Sequence, residues 1–245
     1  MSFRWETAVT TVPSRVYTTL LPTLESLANG GFDQPRLFVD GHLDLVPRWF
    51  DQYRTHIHDQ KVFAFGNWLL ALHTMLIISP DCDFYAIFQD DVRSSKNVRQ
   101  FVEASGFPEK KSYLNLVTYP VNHPGVDVPV NQGYEGWHLS NQRGKGAQAL
   151  IFDREGVMAL LSNEQFNRRC LDLSIDGRGR IRGRKNIDGG VCDCLVGQLG
   201  YKEYVHSPSM MSHLNDVPSV IGNPAQPKIG SWRGEGFDAM ACLAK

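Results

Sequence analysis

The sequence contains little that would place it in a membrane, in a disulfide framework or among polyanion-binding proteins. No apolar run approaches the roughly 20 residues needed to span a bilayer, and residues 1–12 lack the long apolar stretch of a signal peptide. The five cysteines are an odd number in a chain of 245 residues, unlike a secreted disulfide framework. A formal net charge of -1 excludes polyanion binding by overall charge alone. These absences predict a cytoplasmic protein with no membrane partner.

The cysteines and histidines also lack the spacing of a zinc site. Cys192 and Cys194 fall in a predicted helix, where side chains two positions apart point in different directions, so we expect core or surface thiols. His56 and His58 are likewise two positions apart with no further zinc ligands nearby, and they are expected at the surface. The chain does have 42% hydrophobic and 21% charged residues, which is typical of a soluble protein with one substantial core.

Two adjacent carboxylates form the most informative feature of the sequence. The apolar run at residues 84–88 predicts a buried strand, and Asp90 and Asp91 follow it directly. Neighbouring carboxylates are costly to desolvate, so a cation or ligand is expected to meet them. Mn²⁺ and Mg²⁺ take oxygen ligands, and strand ends are where open α/β sheets bind ligands. The alternative is a solvated turn after a strand.

The hydrophobic pattern alternates between strands and helices along the chain. This alternation predicts an α/β layer fold with a mainly parallel sheet and a less regular C-terminal half. Pro22 interrupts the first helical pattern and predicts a kink or a late helix start. The predicted strands are residues 5–12, 35–39, 84–88, 113–119 and 147–152, and the predicted helices are 14–29, 65–76, 154–165 and 189–199.

Five ordered segments resemble the GT-A fold glycosyltransferases, which use nucleotide-sugar donors. The segments are TTVPSR at 10–15, residues 26–41, FQDD at 88–91, GKGAQALIF at 144–152 and PSMMSH at 208–213. The resemblance covers most of the chain. It implies a single Rossmann-like domain over residues 1–245, with a mainly parallel sheet flanked by helices. Residues 1–120 would form the nucleotide-sugar-binding half, 121–221 the acceptor-binding half, and 222–245 an irregular tail or lid.

The resemblance also implies a donor site and a metal site. Asp91 and His213 would ligate Mn²⁺ or Mg²⁺, although His213 by itself is more typical of a hydrogen-bonded loop histidine. Arg15 would pair with phosphate, the alternative being an ordinary surface arginine. Gln89 stands where the family has an acid, which puts its usual role in doubt. The implied donor-binding residues, for a donor expected to be a UDP-sugar, are Thr10, Thr11, Val12, Pro13, Arg15, Asp40, Gln89 and Asp90.

An inverting enzyme of this family would also need a carboxylate that deprotonates the acceptor. The resemblance places this base at Asp188, which precedes a predicted helix and would otherwise be its N-cap. Asp193 and Glu135 are the reserve candidates. A retaining enzyme needs no such base, and both stereochemistries stay open.

The acceptor is indicated by one arginine-rich segment, DGRGRIRGRK, at residues 176–185. Arginines on a flexible ribbon suit the phosphates of DNA or RNA, although a solvated hairpin has the same pattern. The acceptor could therefore be a flipped hydroxymethylpyrimidine in DNA; a saccharide, a lipid-linked glycan and a protein remain alternatives. Trp137 and His138 could stack on a base or a sugar. The candidate acceptor-binding residues are Trp137, His138, Arg178, Arg180, Arg182 and Arg184.

Two other classes of protein were considered. A nucleotidyltransferase would share the α/β fold and the carboxylates, but the first strand is not followed by a glycine- and lysine-rich phosphate loop. A non-catalytic nucleic-acid-binding module would use the arginine segment alone, which the near-neutral charge and the acid pair disfavour.

Overall fold

A computed structural model describes residues 3–122, 135–175, 177, 179, 181–183, 186–214 and 231–243, except the side chain of Arg182. Arg178, Arg180 and Arg184 of the predicted acceptor site lie outside these ranges. The first nine residues of the predicted tail, 222–230, lie outside them as well. No helix in the described ranges is both long and apolar enough to cross a membrane.

Strands and helices alternate through the described residues. The strands are β1 Trp5–Thr11, β2 Arg36–Val39, β3 Thr55–Ile57, β4 Phe84–Gln89, β5 Val92–Ser94, β6 Ser112–Asn115, β7 Gly136–Leu139, β8 Ala149–Asp153, β9 Ser174–Ile175, β10 Ile181–Arg182, β11 Lys202–Ser207 and β12 Met211–His213. The α-helices are α1 Leu21–Asn29, α2 Phe63–Ile78, α3 Val98–Ser105, α4 Arg154–Ser162, α5 Glu164–Arg168 and α6 Ile187–Cys192.

Eight of the strands form one mixed sheet in the order β3-β2-β1-β4-β8-β6-β11-β7. The pairs β3/β2, β2/β1, β1/β4 and β6/β11 are parallel, whereas β4/β8, β8/β6 and β11/β7 are antiparallel. Two short antiparallel pairs, β12/β5 and β10/β9, lie outside this sheet. The predicted α/β class with a mainly parallel sheet is therefore confirmed.

The central strand β4 is buried on both faces, which explains its continuous apolar sequence. Phe84, Ala86 and Phe88 belong to the core layer that includes helices α1 and α3. Tyr85 and Ile87 point to the opposite layer, where α2 and α4 pack. Because the strand is covered on both faces, the polar residues that follow it begin at its C-terminal end, where Asp90 lies.

The first predicted helix starts late, as the position of Pro22 indicated. A 3-10 turn at Pro13–Arg15 and a π-helical turn at Val16–Leu20 come before α1. Pro22 then lies in the first turn of α1, where its missing N–H costs no hydrogen bond. The helix predicted at 189–199 is likewise divided between α6 and a π-helical turn at Asp193–Gln198.

The two histidines near residue 57 are half-buried, so the surface prediction holds only in part. His56 lies in β3 and stacks on Phe38 with ring centroids 4.7 Å apart, and burial lowers its pKa. Nε2 of His58 lies 3.0 Å from Oδ1 of Asn67, a buried residue of α2. No strand was predicted here because β3 is only three residues long, too short to show a hydrophobic pattern. Cys192 and Cys194 are both buried, so these thiols belong to the core.

Candidate functional site

The two carboxylates lie where β4 ends, beside the end of its parallel neighbour β1. Asp90 is 4% exposed and Asp91 is 3% exposed, so neither is a solvated turn residue. The hydroxyl of Thr11, the last residue of β1, donates a hydrogen bond to Oδ2 of Asp90. The hydroxyl of Thr23 donates to the Asp90 carbonyl oxygen at 2.9 Å. The parallel pairing of β1 with β4 therefore builds this corner of the site.

A buried arginine neutralises part of this charge. Nη1 of Arg15 donates to Oδ1 of Asp90 at 2.7 Å and to Oδ2 of Asp91 at 2.6 Å. Burial and the Asp91 charge raise the pKa of Asp90 to about 6, against the opposing effect of Arg15. Burial would also raise the pKa of Asp91, but hydrogen bonds and charges from His213 and Arg15 outweigh it and lower that pKa. Arg15 is 8% exposed and is not an ordinary surface arginine.

His213 reaches the same carboxylates from the far end of the chain. It belongs to β12, which pairs antiparallel with β5 and sets His213 opposite Val92. Its Nε2 lies 3.0 Å from Oδ2 of Asp91. The backbone N–H of Leu214 donates to the Asp91 carbonyl oxygen at 2.7 Å. The two residues predicted as metal ligands thus lie side by side, and their ligand role stays a prediction.

Unpaired buried atoms and net charge decide whether this cluster can hold a cation. Oδ1 of Asp91 and Nδ1 of His213 are buried and find no hydrogen-bond partner among the described residues. Asp90 and Asp91 together carry one more charge than Arg15 compensates, so the cluster favours a further cation. Within the described ranges, no group of three or more His, Cys, Asp or Glu residues forms a metal site. The metal-ligand role of Asp91 and His213 therefore stays a prediction.

The other predicted donor-binding residues surround the acid pair. Thr10 and Gln89 are register partners at the ends of β1 and β4, and Val12 and Pro13 continue directly from β1. Asp40 follows β2 and is 4% exposed. Its Oδ1 accepts hydrogen bonds from the backbone N–H groups of Val62 at 2.7 Å and Phe63 at 3.1 Å. Asp40 therefore fixes the approach to α2, a structural task that the sequence did not indicate.

The predicted base, Asp188, faces a glycine loop instead of capping its helix. Oδ2 of Asp188 accepts a hydrogen bond from the Gly146 N–H at 2.8 Å. The N-cap of α6 is Asn186, whose Oδ1 accepts from the Gly189 N–H at 2.9 Å. A Cβ on Gly144, where φ is +61°, would lie 2.5 Å from the Asp188 carbonyl oxygen. The glycines of the GKG segment thus let this loop pack against the start of α6.

Sequence reasoning missed Tyr119, whose ring lies against the loop at Gly146. Tyr119 is 7% exposed, and its hydroxyl has no hydrogen-bond partner among the described residues. Burial and the charges of Asp91 and Asp188 raise its pKa. No motif indicated this residue, because it ended the predicted strand 113–119 as one more apolar side chain. The clash that a Cβ at Gly146 would make with it can be seen only in three dimensions.

The remaining predicted residues lie in other surroundings. Trp137 packs on Phe101 and donates from Nε1 to the Ser105 hydroxyl at 3.0 Å. Trp137 and His138 lie on β7, four strands from β4 in the sheet order, so they are not gathered with the acid pair. The reserve bases have ion-pair partners, which are Arg233 for Glu135 and Arg169 for Asp193. The acceptor role of Trp137 and His138 stays a prediction.

Three solved structures were compared with this chain. GalNAc-T7, solved with UDP, GalNAc and Mn²⁺, matches with a TM-score of 0.52 and 11% identity over 84% of this chain and 43% of that chain. TarS from S. aureus, in complex with UDP-GlcNAc, matches with a TM-score of 0.48 and 12% identity over 82% and 55%. A197 from STIV matches with a TM-score of 0.43 and 15% identity over 84% and 85%. No protein-family profile and no curated protein sequence matches the chain.

The likeness to GalNAc-T7 confirms the predicted GT-A fold. At this level of identity the likeness shows the arrangement of the sheet and helices alone. This chain spans less than two thirds of the length of GalNAc-T7 and of TarS. What the chain does must therefore be argued from its own side chains.

Proposed function

We propose that this chain is a glycosyltransferase that moves a sugar from a UDP-sugar to a hydroxyl acceptor with the help of a divalent cation. The observation that carries the proposal is the buried acid pair at the ends of β1 and β4, with His213 beside Asp91. A GT-A fold binds its ligand at such strand ends. The UDP and Mn²⁺ bound to GalNAc-T7, a protein of the same fold, support the choice of donor and ion.

The residues of the site have separate tasks in this proposal. Asp91 and His213 would hold a Mn²⁺ or Mg²⁺ ion, which supplies Lewis-acid stabilisation of the diphosphate leaving group. Arg15 holds both carboxylates in place, and the Thr11 hydroxyl fixes the rotamer of Asp90. The donor is proposed to bind against Thr10, Val12, Pro13, Asp40 and Gln89. All of these residues exist as a preorganised set before any donor arrives.

Asp188 is proposed to accept the proton of the acceptor hydroxyl. Its two oxygens accept hydrogen bonds from the N–H groups of Gly146 at 2.8 Å and Gly189 at 3.0 Å. These bonds orient the carboxylate, and each oxygen keeps a lone pair for a substrate proton. The assignment applies to an inverting reaction, because a retaining reaction needs no general base.

The acceptor is proposed to be a hydroxymethylated pyrimidine in DNA, with a saccharide, a lipid-linked glycan or a protein as alternatives. The support for DNA is the arginine segment at residues 176–185 alone. A non-catalytic nucleic-acid-binding module would not need a buried acid pair, which is why the enzyme is preferred. A cytoplasmic location fits a DNA acceptor and is proposed with it.

Binding of nucleotides tests the proposal directly. The unfolding temperature would be measured with UDP, UDP-glucose, UDP-GlcNAc and UDP-GalNAc, each with and without Mn²⁺. Saturation at about 100 times Kd should raise the unfolding temperature by about 5–10 °C. The shift should need Mn²⁺ and should disappear in Asp91→Asn. If no nucleotide shifts the wild-type protein with Mn²⁺ present, the glycosyltransferase proposal is wrong.

A further inference from the structure

Gly146 lies at the centre of a polar group of side chains that we call the Gly146 cradle, formed by Tyr119, Gln148 and Asp188. Gly146 has φ at +85°, and a Cβ there would lie 2.6 Å from Cε2 of Tyr119 and 2.7 Å from Oε1 of Gln148. Its N–H donates to Asp188. Only glycine allows the tyrosine ring and the glutamine amide to approach the loop from the same side.

Two polar atoms of the Gly146 cradle lack partners. The Tyr119 hydroxyl and Oε1 of Gln148 are both buried and have no hydrogen bond among the described residues. Leaving a buried donor or acceptor unsatisfied is unfavourable, and native proteins do so rarely. A neighbouring unsatisfied donor and acceptor are complementary to a ligand group that can both accept and donate.

The position of the Gly146 cradle indicates which part of a ligand reaches it. The Gln89 N–H donates to the Gln148 carbonyl oxygen at 2.8 Å, so the cradle adjoins the strand end that carries Asp90 and Asp91. The charges of Asp91 and Asp188 both act on Tyr119 and favour its protonated form. The Tyr119 hydroxyl therefore keeps its proton and can act as a hydrogen-bond donor in the Gly146 cradle.

We propose that Tyr119 and Gln148 bind one hydroxyl group of the donor's sugar, which accepts a hydrogen bond from Tyr119 and donates one to Gln148. A phosphate would not serve, because it has no proton for Oε1 and would face the Asp188 carboxylate. In a nucleotide-sugar the sugar is bonded to the diphosphate, and the cradle adjoins the acid pair. This assignment rests on the proposed function and adds a specificity determinant to it.

Tyr119→Phe tests the assignment, because it removes the hydroxyl and keeps the ring. Affinities for UDP and for the best-binding UDP-sugar would be measured by calorimetry in the presence of Mn²⁺. The affinity for the UDP-sugar should fall about tenfold, while that for UDP stays within about twofold. The unfolding temperature should not fall, since no hydrogen bond within the protein is lost. Tyr204 of β11, whose hydroxyl is hydrogen-bonded to Glu109, provides the matched control. Tyr204→Phe should leave both affinities unchanged.

Singly deoxygenated analogues of the same UDP-sugar identify the hydroxyl. One analogue should bind the wild-type protein about tenfold more weakly, and Tyr119→Phe should no longer distinguish it from the parent sugar. The assignment is overturned if the variant binds UDP and UDP-sugar as the wild type does, or if the variant is destabilised. A wild-type protein that binds neither UDP nor any UDP-sugar would instead overturn the proposed function beneath it.

Discussion

Nη1 of Arg15 lies 2.6 Å from Oδ2 of Asp91, so the guanidinium already pairs with one carboxylate oxygen of the proposed metal ligand. The same nitrogen lies 2.7 Å from Asp90. The resemblance implied a phosphate contact for Arg15, and that role stays a prediction beside the pairing seen here. One guanidinium shared between two carboxylates reduces the repulsion between them. The cluster keeps a net negative charge, which attracts a further cation.

Replacing Arg15 with Met should destabilise the protein. The substitution leaves two buried carboxylates without their counter-ion, and breaking such a group typically costs about 3–5 kcal/mol. Urea denaturation at pH 7 would measure the loss. The double variant Arg15→Met with Asp90→Asn should recover most of it, because one of the repelling charges is gone. Arg168→Met, at an exposed pair with Glu164, should change stability by only about 0.5 kcal/mol.

Asp91→Asn should abolish Mn²⁺ binding and lower sugar transfer by orders of magnitude, because the principal charged ligand is lost. The fold should survive, since Asp90 still compensates Arg15. Calorimetric titration with Mn²⁺ and a donor-hydrolysis assay would measure the two effects. Asp193→Asn, which removes an exposed carboxylate paired with Arg169, should change neither. Normal turnover in Asp91→Asn, or full activity of the wild type in EDTA, would contradict the metal assignment.

Asp188→Asn should abolish transfer and leave donor affinity almost intact, because the base acts on the acceptor. Asn186→Ala, two residues before Asp188, is the matched control. It removes the N-cap of α6 and should reduce stability by about 1 kcal/mol without a comparable loss of transfer. Equal loss of activity in the two variants would mean that Asp188 acts through the position of α6 rather than on a proton.

The contribution of His206 to stability should fall as the pH drops from about 6.5 towards 4. This histidine on β11 is 1% exposed, and burial lowers its pKa from 6.5 to about 4. Its folded form binds fewer protons than its unfolded form in that window, so the stability present above pH 6.5 is lost on acidification. The loss from this group approaches about 3 kcal/mol at the acid end. Urea denaturation at several pH values should show a shallower slope for His206→Asn than for the wild type.

Changing Arg178, Arg180, Arg182 and Arg184 to Ala tests the DNA acceptor. If these arginines contact phosphates, the variant should bind duplex DNA more weakly, and its log-log salt slope should flatten by about one unit per lost contact. Donor hydrolysis without acceptor should be unchanged, since the metal and nucleotide residues come from other segments. Wild-type protein that shows no salt-sensitive binding to single-stranded or duplex DNA would exclude a DNA acceptor and favour a saccharide.

The sequence predicted the parts of the fold whose signals are local. The apolar run of β4 and the acids after it are readable in one window, because a strand buried on both faces has no alternation to obscure it. The approach of His213 to Asp91 followed only from the order of family-like segments. Nothing within residues 208–213 shows that β12 pairs with β5.

Features that depend on contacts between distant segments were not predictable. The N-cap of α6 is Asn186 and not Asp188. The N-cap is the residue whose backbone leaves helical geometry, and the Asp188 carboxylate instead accepts a hydrogen bond from the Gly146 N–H. Tyr119 had no signal either, since an aromatic residue at the end of a predicted strand is ordinarily part of a core. The three-residue strand β3 was too short to produce a pattern.

The acid cluster is drawn from three separate stretches of the chain, which has a consequence for synthesis on the ribosome. Thr11 and Arg15 emerge early, Asp91 follows, and His213 arrives only after β11 has been made. A nascent chain that stops before β12 would hold Asp91 without its imidazole partner. If Asp91 and His213 hold a cation as proposed, binding should begin late in translation, once β12 has left the exit tunnel.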